Sequence, residues 1–139
     1  MVIFLSLGNN PKEIQFEIIK NFQLAYQNEG VKVFKNYSEF EKFYKSQTNL
    51  ISDSVPKLNV NFENELLIGI FLGERPTSGY SINVDKVILE NKKILVQASE
   101  ICPKKDQIVL MVITYPSIFI KIPKYDYPIE LKLNKCQRK

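Results

Sequence analysis

Alternation decides what this chain can fold into. Tyr80, Ile82 and Val84 alternate with Ser81, Asn83 and Asp85. Ile94, Val96 and Ala98 repeat the pattern. So do Ile118, Ile120 and Ile122 around Phe119 and Lys121, and Ile129, Leu131 and Leu133 near the end. A period of two sends successive side chains to opposite faces of a strand, so each segment offers one face to a core and one to water. Leu66–Leu72 is continuously apolar, as expected of a strand buried on both faces. Ile108–Ile113 is a second apolar run, broken by Tyr115-Pro116. Turns rich in glycine, proline, asparagine or lysine separate these runs at 73–79, 90–93, 103–106 and 123–128. Upstream, Phe22, Leu24 and Tyr26 alternate with Gln23 and Gln27; a turn at Asn28-Glu29-Gly30 and the run Val31–Phe34 complete an expected hairpin.

One helix interrupts the strands. Ser38-Glu39-Phe40-Glu41 fits the S-x-x-E capping box, in which each side chain satisfies a free backbone amide. The helix is expected to end near Ser46, with Tyr37, Phe40, Phe43 and Tyr44 on one core-facing stripe. Thr48–Asn61 reads as a polar loop carrying Pro56. The class is mainly β with one short helix, arranged as an antiparallel β-sandwich or barrel. With 139 residues, no internal repeat and no linker, 1–139 is expected to be a single domain.

Composition narrows the chemistry. There is no histidine, which removes Ser-His and Cys-His nucleophile pairs and the commonest zinc ligand. A Ser-Lys mechanism needs a serine beside a lysine in an apolar setting, and only Lys121 has such neighbours in sequence. No catalytic residue, metal or cofactor is expected, and the chain reads as a non-enzyme. The net charge is +4 and the sequence pI about 9.0, with Lys121, Lys124, Lys132, Lys135, Arg138 and Lys139 concentrated late. No dense basic cluster interleaves with aromatics, so nucleic acid is not an expected partner. Cys102 and Cys136 lack metal-ligand spacing; they form one disulfide or remain free thiols. No stretch reaches the length of a membrane span. Val2–Leu7 is short and lacks a preceding basic region, so it is a first strand or the stub of an export signal. Membrane contact is expected only through an anchor upstream of Met1, and the compartment stays open.

Gly73-Glu74-Arg75-Pro76-Thr77-Ser78-Gly79-Tyr80 is the richest turn. Gly73 and Gly79 specify its backbone, Gly79 with an expected positive φ. Arg75 is suited either to a partner's carboxylate or to an internal pin on Glu74 or Asp85. Thr77 and Ser78 suit hydrogen bonds that hold the turn, and Tyr80 suits rim packing or stacking. Tyr115-Pro116 forms a second rigid, amphipathic cluster. The candidate partner-binding set is therefore Arg75, Pro76, Thr77, Ser78, Tyr80, Tyr115 and Pro116.

From about 62 to 124 the chain resembles the C-terminal domain family of the protease complex subunit PrcB. The resemblance rests on Asn61-Phe62 before an apolar strand and on Gly73 to Tyr80 as a G-x-R-P-T-x-G-Y turn. Ser81-Ile82-Asn83-Val84, Cys102-Pro103 and Thr114-Tyr115-Pro116 follow in order. It implies a small secreted or lipid-anchored accessory module, non-enzymatic, with a protein partner such as a protease. The 74–80 loop would then be presented to that partner. Pro76-Thr77-Ser78-Gly79-Tyr80 is also similar to a loop of chagasin-type cysteine protease inhibitors, which implies the alternative of inhibition through the same loop.

Overall fold

The structure is a computed structural model describing residues 11–48 and 55–136; the expected strand or stub at Val2–Leu7 lies outside them. Its elements are β1 (Lys12–Ile14), β2 (Glu17–Ile18), β3 (Gly30–Phe34), α1 (Tyr37–Thr48), β4 (Glu65–Phe71), β5 (Ser81–Glu90), β6 (Lys93–Ile101), β7 (Ser117–Pro123) and β8 (Ile129–Asn134). They form two four-stranded sheets, ordered β1-β5-β6-β8 and β2-β7-β4-β3. The sheets pack as a sandwich and do not close into a barrel. Each pair is antiparallel except β6–β8, which runs parallel. That one pair departs from the purely antiparallel reading, because the chain crosses from the second sheet back to the first between β7 and β8.

The alternating residues meet between the sheets. Ile82, Val84 and Val87 of β5 and Ile94, Val96 and Ala98 of β6 face Leu66, Ile68 and Ile70 of β4 and Ile120 and Ile122 of β7. Asn91 and Lys92 both have left-handed φ, +53° and +58°, the geometry of a tight two-residue hairpin between β5 and β6. A register shift between Val84 and Lys86 bulges Asp85 out of the ladder. This lets β5 keep both Val84 and Val87 in the core although they are an odd number of residues apart.

β4 is buried on both faces, as its unbroken apolar run predicts. Leu67 and Phe71 point away from the first sheet and join Phe119, Phe34 and Leu24 in a second core under α1. Phe40 is the helix's fully buried residue. Its ring lies edge-on to Phe22, Phe34 and Phe119, at centroid distances of 5.7, 5.7 and 6.4 Å. Phe43 and Tyr44 are half-buried, and Tyr37 lies at the exposed end of the stripe.

Two local expectations are corrected. The helix is not capped by Ser38. Asn36 Oδ1 accepts from Glu39 N at 2.9 Å, and Glu39 Oε1 accepts from Lys35 N at 2.8 Å. An Asn-x-x-Glu box two residues upstream does the work and leaves Ser38 inside the first turn. The hairpin expected over 22–34 is also absent: β3 pairs with β4, and 22–27 belongs to no strand. Its alternation is real as burial, with Leu24 buried and Phe22 and Tyr26 half-buried. The segment is held by aromatic packing, Phe22 to Phe119 at 4.9 Å and Tyr26 to Phe71 at 5.0 Å. One side-chain bond adds to this, from Leu24 N to Ser117 Oγ at 3.0 Å.

Candidate partner-binding site

The turn after β4 and the segment before β7 form one assembly. Leu72 N donates to Pro116 O at 3.1 Å. Arg75 and Thr114 exchange both backbone hydrogen bonds, at 2.8 and 2.9 Å. Thr114 Oγ1 donates to Thr77 O at 2.8 Å, and Tyr115 Oη donates to Glu74 Oε1 at 3.3 Å. Ser78 clips the chain further out: its N–H donates to Leu110 O at 3.0 Å, and its Oγ accepts from Leu110 N at 2.8 Å. The two clusters read separately in the sequence are thus two sides of one structure.

Arg75 is spent inward. Its Nε donates to Glu100 Oε2 at 2.6 Å, and its Nη1 donates to the carbonyls of Leu72 and Glu74 at 2.9 and 2.8 Å. The guanidinium lies 5.9 Å from the centroid of the Tyr80 ring, within cation–π range. The pin is therefore Glu100 rather than Glu74 or Asp85. Glu74 contributes its carbonyl, and Asp85 accepts from Asn83 Nδ2 at 2.7 Å and Ser99 Oγ at 2.6 Å. Glu100 was legible: it occupies the next core-facing position after Ile94, Val96 and Ala98. A carboxylate in an apolar register announces a buried partner.

The glycines have distinct tasks. Gly73 (φ +77°) starts the turn under the backbone of Gln27 and Glu29. Gly79 has the expected positive φ, +95°, and no room for a side chain: a Cβ would lie 3.0 Å from Pro103 Cβ and 3.1 Å from Val109 Cγ1. Gly79→Ala is expected to lose about 1–3 kcal/mol, combining backbone strain with overpacking. Equilibrium denaturation with an unshifted midpoint would contradict this.

The turn supports a protruding loop. The run Ile108–Ile113, met in sequence among strand-like segments, forms no strand. Ile108 is 95% exposed, Leu110 69%, Met111 86%, Val112 51% and Ile113 54%. An uninterrupted apolar run reads alike whether buried or displayed, so its pattern carried no warning. Cys102, at the loop's root, is disulfide-bonded to Cys136, with Cα atoms 5.9 Å apart. Glu100, Cys102 and Cys136 also bring metal-ligating residue types together. Their ligand atoms are already committed to the disulfide and to Arg75.

Beside this assembly runs an open groove of about 840 Å³. Ser78, Tyr80, Tyr115 and Pro116 line one wall, and Asn21 and Phe22 the other. Four of the candidate residues therefore border one groove, Ser78, Tyr80 and Tyr115 half-buried and Pro116 itself buried behind them. Thr77 is buried, Arg75 is largely covered, and Pro76 is exposed at the tip of the turn. Lys121, the lysine with apolar sequence neighbours, donates to Asn59 O at 2.7 Å and lies 3.5 and 3.7 Å from Glu65 and Glu17.

These elements form a two-sheet β-sandwich with one helix and a braced turn–loop pair. Residues 66–123 match the family described as PrcB C-terminal. The match runs from β4 to β7 and includes both the turn and the loop. That family takes its name from a subunit of a protease complex, and the match makes this stretch similar to an accessory domain. No curated protein and no solved structure matches the chain.

Proposed function

We propose that this chain, as one domain, is a non-enzymatic accessory module that binds a protein partner through the groove beside the 74–80 turn. The partner, a protease on the family's analogy, would lay an extended segment between Asn21-Phe22 and Tyr80-Tyr115. The observation that carries this is the convergence of Ser78, Tyr80, Tyr115 and Pro116 on one groove. Aromatic rims on a rigid wall contribute contact area at little ordering cost. Arg75 and Thr77 act by holding that wall, and Pro76 offers a stiff contact at its end.

Ser81 is exposed and lines the groove, so Ser81→Arg obstructs it without touching the core. The variant is expected to melt like wild type and to lose stoichiometric capture of the partner from native lysate. Identical capture by both proteins would refute the groove. Turnover of a papain-type protease is expected to stay unchanged at equimolar dose; a drop would favour the inhibitor alternative.

A further inference from the structure

We propose that the Ile108–Ile113 loop docks on an anionic lipid surface, its aliphatic tip entering the headgroup layer and its basic root facing the lipid charges. The inference goes beyond the accessory reading and uses a different face of the assembly.

Three observations carry it. The first is contiguity. Ile-Val-Leu-Met-Val-Ile contains no charge, hydroxyl, glycine or proline, and five of its six side chains are exposed. Scattered apolar residues on a surface are ordinary, but an exposed contiguous patch marks an interaction site. The second is bracing. Ser78 fixes Leu110, Arg75 fixes Thr114, Val109 packs over Gly79, and the disulfide fixes Cys102. The tip is held out in a set position, so little ordering is needed on contact.

The third observation is charge, and it selects the occupant. Lys104 and Lys105 stand exposed at the root of the loop, and neither forms an ion pair among the described residues. Asp106 is the one acidic residue between Pro103 and Thr114. An uncharged aliphatic tip above a basic collar matches the two layers of an anionic bilayer: acyl chains for the tip and phosphates for the collar. An apolar protein pocket would match the tip alone. The loop's backbone polar groups keep the contact shallow, because unpaired amides cannot enter hydrocarbon. No helix among the described residues is long and apolar enough to cross a membrane, and this contact needs none.

The test is flotation with vesicles of phosphatidylcholine alone and of phosphatidylcholine mixed equally with phosphatidylserine. The full chain is expected to bind the mixed vesicles at least about tenfold more tightly, with the preference fading at high salt. Met111→Asp with Val112→Asp is expected to abolish binding. Lys104→Glu with Lys105→Glu is expected to weaken it about tenfold or more at low salt. All four positions are exposed, and a thermal melt of each variant checks that the fold is intact. Equal binding to both vesicle types, or binding indifferent to the tip substitutions, overturns the proposal. So does a tip-dependent dimer, or a tip-dependent soluble protein partner, in the absence of vesicle binding.

Discussion

Arg75→Ala is expected to destabilise the fold by about 3–5 kcal/mol, the range for removing one member of a buried ion pair. Glu100 is 8% exposed, and Arg75 is its ion-pair partner among the described residues. Without the guanidinium the carboxylate stays in low dielectric with its charge uncompensated. The loss should extend beyond the pair, since the same guanidinium donates to the Leu72 and Glu74 carbonyls. Arg75→Met combined with Glu100→Leu should recover much of the loss, because a well-packed apolar pair replaces buried ions at little net cost. The measurement is a urea midpoint for wild type, the single variant and the pair. A single variant as stable as wild type would remove Arg75 as the pin of the turn. The result also governs how binding is assayed: any loss of capture by Arg75→Ala would follow from lost stability, so Ser81→Arg is the cleaner probe.

The second large effect is expected at Phe40. Truncation to alanine should cost about 3–5 kcal/mol through lost transfer energy and the cavity left behind. The ring is fully buried and touches Phe22, Phe34 and Phe119. Phe43 shares its stripe but is half-buried, so Phe43→Ala should lose distinctly less. Thermal melts of the two variants side by side decide it. Equal losses would mean that the depth of burial along this helix face is misplaced.

Much of the fold was legible, because alternation reports burial directly. The residues of β6, β7 and β8 that face the other sheet are those the period of two selects, and the double burial of β4 follows from its unbroken run. In β5 the bulge at Asp85 breaks the period so that Val87 replaces Lys86 in the core, and in β7 the alternate residues Phe119 and Lys121 are buried too rather than facing water. What the pattern cannot report is the neighbour. The 22–27 segment alternates like a strand yet packs by its rings, and β8 pairs parallel to β6, since both outcomes bury the same side chains. The cap was misplaced by two residues because Asn36-x-x-Glu39 and Ser38-x-x-Glu41 overlap and only one can open the helix. The turn at 73–80 was recognisable from its residue types. Its role as the footing of another loop was not, because Ser78 and Leu110 are 32 residues apart.

The sheet edges have a consequence for handling this protein. β1 and β2 are three and two residues long. β3 carries Lys32, and β8 carries Glu130 and Lys132 on its outward face. Short, charged rims of this kind are poor templates for strand-on-strand growth. Strand-on-strand growth at these described edges is therefore disfavoured. Clustering at high concentration is expected to nucleate instead at the exposed aliphatic loop Ile108–Ile113 and to be dispersed by mild detergent.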